Sequence, residues 1–230
     1  MERRLAAALL LPYLSGCGGH TVQGGETVED WQQDPRPVGR TMVYECPGNG
    51  GPGYEFIARL GPGEMAVWLE DRYLVLSQVR SASGVKYVEG DITFWMKGEE
   101  AMLTAGDAEY RNCRLNHARV PWEDARRRGV SFRAVGNEPG WHLEIQQGRQ
   151  ILFVGDYGMQ RVVVPDPGEQ RDGPTRLYHA RSDEHELLLE IVDEICTDTM
   201  KGDSFPTRVT LHLDGTTYWG CGRDLNSPWQ

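Results

Sequence analysis

The sequence predicts an all-β fold: a small antiparallel barrel of about eight strands, followed by a second, mainly-β domain. Composition points that way, because 28 Gly and 13 Pro in 230 residues favour many short strands and turns over long helices. Patterning agrees, since short runs of alternating or β-branched and aromatic residues recur along most of the chain, each bounded by a turn signal. A composition of 39% hydrophobic and 25% charged residues is that of a globular protein able to bury such sheets.

The chain opens differently. Met1-Glu2-Arg3-Arg4 is a short basic start, and Leu5 to Leu14 (LAAALLLPYL) is an apolar run too short to span a bilayer, so residues 1–16 read as a signal peptide. Leu14-Ser15-Gly16-Cys17 resembles the bacterial lipobox, which implies cleavage before Cys17 and a lipid anchor on its thiol. Each buried methylene of such an anchor contributes about 0.8 kcal/mol, so several acyl chains hold where one does not. Residue 18 is Gly rather than Asp, the inner-membrane retention signal of Gram-negative lipoproteins, which implies the outer membrane with the chain facing the periplasm. Residues 17–39 are polar and Gly-rich, a flexible tether reaching roughly 25 Å as a random coil.

Seven strand-like runs follow in order: TMVYEC, YEFIARL, EMAVWLE, YLVLSQV, VKYVEG, DITFWMKG and EAMLTAG. They fill residues 40–118, a length suited to one small barrel or sandwich of seven or eight strands. Residues 119–130, with VPWEDARRRGV, read as a charged linker or one short helical turn. Residues 131–230 continue with VSFRAVG, WHLEIQQ, ILFVGDY, RVVVPD, TRLYHAR, HELLLEIVDEIC, TRVTLHLDG and TTYWGCG; in 184–197, ELLLEIV is compatible with helix or strand.

Five cysteines less Cys17 leave Cys46, Cys113, Cys196 and Cys221, an even number suited to bridges in an oxidising compartment. Three pairings are possible. Cys46–Cys113 with Cys196–Cys221 is favoured because the Pro/Arg-rich break lies between the two couples. Metal ligation is the rival, without CxxC or HxxxH spacing to support it, and no cofactor is expected. The formal charge of −10 argues against nucleic acid as a partner. Residues 39–118 carry 8 Lys+Arg against 11 Asp+Glu and residues 131–230 carry 9 against 16, so most of the acidity lies in the second half.

Two motifs remain: Ser83-Gly84-x-x-Tyr87, and Phe94-Trp95-x-Lys97-Gly98-x-x-Ala101. With Tyr44-Glu45-Cys46 ahead and Cys113 behind, they resemble the membrane-bound lysozyme inhibitors of C-type lysozyme, the MliC family. The resemblance covers roughly residues 40–115. It implies a Cys46–Cys113 bridge, C-type lysozyme as the protein partner, and an inhibitor rather than an enzyme. Ser83 and Lys97 are then the residues that enter the lysozyme cleft, and Gly84, Tyr87, Trp95 and Gly98 are secondary contact candidates.

The chemistry fits. Such a cleft holds one protonated and one ionised carboxyl group. An ammonium satisfies the ionised group, and a hydroxyl, which both donates and accepts, suits the other. Strand alternation puts Thr93, Trp95 and Lys97 on one face and Ile92, Phe94 and Met96 on the other, so Lys97 is expected to face outward.

Residues 132–225 resemble an uncharacterised domain of bacterial envelope lipoproteins through Phe132-x-Ala134-x-Gly136-x-Glu138-Pro139-Gly140-Trp141, Cys196-x-Asp198-x-Met200-x-Gly202, Phe205-Pro206 and Gly220-Cys221-Gly222. That resemblance implies no activity. Glu138, His142 and Asp198 are conceivable as an acid/base set, though polar strand ends are the simpler reading, and His179 and His185 are expected to be exposed. GxSxG, Walker and HExxH motifs are absent from the sequence. The alternative to an inhibitor is a structural or adaptor lipoprotein of the envelope that binds peptidoglycan or another periplasmic partner.

Overall fold

The computed structural model describes residues 39–48, 53–69 and 72–226. The signal, lipobox and tether expectations, Cys17 included, lie outside them. The described residues form one compact unit.

Eight antiparallel strands form the first sheet: β1 (Arg40–Cys46), β2 (Tyr54–Gly61), β3 (Glu64–Leu69), β4 (Arg72–Val79), β5 (Val85–Glu89), β6 (Ile92–Lys97), β7 (Glu100–Ala105) and β8 (Ala108–Leu115). Each pairs with the next, and β8 returns to β1 at Leu115↔Tyr44 and Arg114↔Glu45, closing a barrel. Period-2 alternation fills its interior: Met42, Tyr44 and Cys46 from β1, Met65, Val67 and Leu69 from β3, Ile92 and Phe94 from β6. At the centre Tyr44 stacks on Phe56 at 5.4 Å, and Phe94 meets Phe56 edge-on at 5.7 Å. The Cys46–Cys113 bridge ties β1 to β8 from inside.

The segment read as a charged linker or one short helical turn carries a helix. Val120–Arg127 form an eight-residue helix, α1, with Pro near its start where a missing N–H costs nothing. Trp122 and Ala125 bury with Val130, Phe205, Cys221 and Leu225 in a small separate core, and Trp122 stacks on Phe205 at 5.2 Å. On its other side the helix meets the barrel. Thr41 Oγ1 donates to Asp124 at 2.5 Å, and just ahead of the helix Arg119 pairs with Glu55 at 2.9 Å.

The second half continues with β9 (Phe132–Gly136), β10 (Trp141–Gln146), β11 (Gln150–Gly155), β12 (Gln160–Pro165), β13 (Gln170–Asp172), β14 (Thr175–Arg181) and β15 (Glu186–Val192). A short hairpin of β16 (Cys196–Thr197) and β17 (Ser204–Phe205) then stands apart, fixed by the Cys196–Cys221 bridge, before β18 (Thr207–Leu213) and β19 (Thr216–Asp224). Apart from the hairpin, these strands make one nine-stranded antiparallel sheet in the order β12-β11-β10-β9-β19-β18-β15-β14-β13. The sheet curls so that β12 reaches β14. Its concave face buries Phe132, Leu143, Phe153, Leu189, Leu211 and their neighbours. The ambiguous ELLLEIV segment is strand β15, its Leu187, Leu189 and Ile191 alternating inward. Helix α1 is pinned to the outer side of the sheet by Arg128, whose guanidinium reaches both oxygens of buried Glu144 at 2.8 and 2.7 Å. Arg133 is a further partner of that carboxylate.

Candidate functional site

The bend between β4 and β5 carries Ser83, and the end of β6 carries Lys97. Two facts bring them together. The β5–β6 register pairs Val85 with Met96, so the next residue outward on each strand is Gly84 beside Lys97. Gly84 also has φ +66° and packs directly against the Met96 carbonyl, where a β-carbon would collide and would sit 3.3 Å from Lys97 Cβ. Only glycine combines that dihedral with that approach.

Side chains then fix the bend. Trp95 Nε1 donates to the Ser83 carbonyl at 2.9 Å, and Ser81 Oγ donates to the Gly84 carbonyl at 2.9 Å. The functional groups themselves stay unengaged: the Ser83 hydroxyl and the Lys97 ammonium are exposed and make no hydrogen bond or ion pair among the described residues. Carboxylates that could quench Lys97 are occupied elsewhere, Glu99 by His117 at 2.8 Å and Glu100 by Arg114 at 3.4 Å. The result is a donor–acceptor hydroxyl beside a free cation, both carried at the same end of adjacent strands.

A family model for the membrane-bound lysozyme-inhibitor of c-type lysozyme, MliC, matches residues 44–112. The membrane-bound lysozyme inhibitor of C-type lysozyme from Yersinia enterocolitica is 33% identical over 81 residues, covering 35% of this chain and 67% of that protein. The chain belongs to the MliC family. Among solved structures, Pseudomonas aeruginosa MliC in complex with hen egg white lysozyme is 25% identical, over 48% of this chain and 100% of that one, with a TM-score of 0.26.

Within the MliC domain the remaining candidates separate. Trp95 is half-buried, and its indole N–H holds the bend. Gly98, at φ +64° in the turn after Lys97, has open space around it. Tyr87 needs a correction: it pairs in register with Phe94, is 3% exposed and sits in the barrel core. Burial pushes its phenol above the usual range, so its ring packs rather than reaches a partner. Ser81 was not legible as a functional residue. Its only signal is the second serine of Ser81-Ala82-Ser83-Gly84.

In the second half, Asp198 Oδ1 accepts from Asn137 Nδ2 at 2.9 Å and from the backbone N–H of Met200 at 2.7 Å and Lys201 at 3.1 Å. Burial raises its pKa, but these bonds together hold the carboxyl below its ordinary value. It is a clamp for the β16–β17 turn. Glu138 is exposed, and no hydrogen bond joins it to His142 or Asp198 among the described residues, so no acid/base set is assembled. His179 is exposed against Glu186 at 2.9 Å, whereas His185 is half-buried against Asp214 at 2.7 Å. The glycine motifs are spatial. β-Carbons at Gly136 and Gly220 would collide with the Trp141 indole, 5% exposed, so these residues form its socket.

Proposed function

We propose that the chain is an envelope lipoprotein, anchored through Cys17 in the outer membrane, that inhibits C-type lysozyme by inserting Ser83 and Lys97 into the catalytic cleft. The supporting observation is the fixed pair of unengaged groups, a hydroxyl and an ammonium on adjacent strand ends, held by Gly84, Trp95 and Ser81. Family membership points the same way, since the family and the Y. enterocolitica relative are both described as inhibitors of C-type lysozyme.

Lys97 meets the ionised cleft carboxylate in a charge-assisted hydrogen bond, strengthened as water leaves. Ser83 donates to or accepts from the neighbouring acid. No bond is made or broken in the target, so inhibition is competitive and reversible.

A titration of hen egg white lysozyme with residues 38–230 tests this reading. Expected is stoichiometric loss of cell-wall lysis, relieved in the Ser83→Ala, Lys97→Ala double variant. Full inhibition by the double variant overturns the site, and no inhibition by the parent overturns the function.

A further inference from the structure

A second concave site lies in the C-terminal sheet, a cleft of ≈ 550 Å³ and so within the roughly 300–1,000 Å³ range of small-molecule sites. His142 forms the middle of its floor. The register sets Val135 on one side of it and Val154 on the other, all three half-buried on the outer face. One wall is the turn around Asp198 and Lys201 with Trp122 behind it, and the opposite wall is Tyr157 and Gly158.

Two features of this cleft are left without a partner. The His142 imidazole has no hydrogen-bond partner among the described residues. Burial and then the Arg133 charge lower its pKa to about 4, so at neutral pH it offers one N–H donor and one bare acceptor nitrogen. Opposite it, Asp156, Tyr157 and Gly158 have φ values of +46°, +53° and +92°. For the first two, both non-glycine, such a conformation costs of order 1 kcal/mol or more. It gains no packing, because Tyr157 is 93% exposed. Besides closing the β11–β12 turn, it holds a free aromatic ring at the mouth of the cleft.

The lining also limits the ligand's charge. Charges of both signs line it, Arg133 (paired with Glu144) and Lys201 against Asp198 and Asp203, so no single-sign patch selects an ion. A neutral ring with hydroxyl and amide groups needs no charged partner there and finds an aromatic face, an imidazole able to donate or accept, and two flanking apolar spots. An acetamido group suits that floor, giving its N–H to the bare imidazole nitrogen or accepting at its C=O from the protonated one, with its methyl on valine.

We propose that this cleft binds a short, uncharged N-acetylated saccharide. The cleft itself argues for a neutral saccharide; the choice of an N-acetylated one also rests on the lysozyme reading, since the glycan that enzyme cuts is of this class. The barrel would then occupy the enzyme while the second sheet holds the polymer it attacks.

Calorimetric titration of the full chain with triacetylchitotriose, without lysozyme, tests the proposal. Expected is saturable one-site binding, weakened at least tenfold in His142→Ala. Tyr157→Gly removes both ring and strain, so affinity falls several-fold while Tm holds or rises. Lysozyme inhibition stays at the parent level in both variants, so the two readings fail independently. The proposal is overturned by an absence of saturable binding, by equal affinity for maltotriose, by displacement with sulfate, or by variants that bind as the parent does.

Discussion

The indole N–H of Trp95 donates to the carbonyl of Ser83 at 2.9 Å, tying the bend before β5 to the strand that carries Lys97. Two groups 14 positions apart in the chain are thereby made one rigid surface. Trp95→Phe keeps the ring and removes the donor. Because the Ser83 carbonyl is near solvent, Tm is expected to change little, while the inhibition constant worsens several-fold, consistent with a hydrogen bond of about 1 kcal/mol. A parallel loss of Tm and inhibition would make Trp95 a packing residue only.

Lys97→Ala and Ser83→Ala act on the partner, not the fold, since both side chains are exposed and unengaged. Loss of a hydrogen bond to a charged group costs roughly 1.5–3 kcal/mol, so Lys97→Ala is expected to weaken inhibition roughly ten- to hundredfold with an unchanged melting curve. Ser83→Ala should cost less. Lysozyme kinetics and calorimetry on the same samples check both.

Gly84→Ala and Gly98→Ala form a matched pair. Both glycines have φ near +65°, at +66° and +64°, but only at Gly84 does a β-carbon meet the Met96 carbonyl. Gly98→Ala is expected to cost about 1 kcal/mol, the dihedral penalty alone. Gly84→Ala should cost clearly more and should also impair inhibition by prising Ser83 from Lys97. Urea denaturation of the two variants reads the difference.

The fold was legible where one face of a strand is apolar and the other polar. ITFWMK shows it: alternation alone turned Lys97 outward, and the barrel places it there. Tyr87, a secondary contact candidate, lies instead in the barrel core opposite Phe94, a pairing that one strand's sequence does not reveal. Helix α1 was under-read because eight charge-rich residues have little propensity of their own; Phe205, some 80 residues later, gives Trp122 its partner. The pairing of Ser83 with Lys97 came from family resemblance, and the Gly84 contact that produces it is visible only in three dimensions.

His142 makes stability pH-dependent. Its folded pKa, about 4, lies below the ordinary 6.5, so the unfolded chain binds more protons between those values. Stability is therefore full above about pH 6.5 and falls as pH drops toward 4. Discounted for solvent at the cleft, the contribution is on the order of 1–2 kcal/mol. Comparing urea midpoints at pH 7.5 and 4.5, His142→Gln should narrow the difference by that amount.

Removing the Cys46–Cys113 bridge by a double Cys→Ser change frees a closure of 67 residues. Chain entropy puts the cost at about 4 kcal/mol, a large part of what a domain this size has to spare. The variant is expected to melt far lower or not to fold, as read by circular dichroism.

Because β8 hydrogen-bonds back to β1 at Tyr44 and Glu45, the first sheet closes on itself and has no free edge strand. Closure leaves little backbone for lending a strand to a target, which is how many β proteins bind extended peptides. In the proposed mode, recognition falls to side chains at the strand tips, Ser83 and Lys97 among them, while the ladder behind them stays closed. Selection can therefore retune the tips against a changing enzyme, one residue at a time, without opening a route to edge-to-edge aggregation.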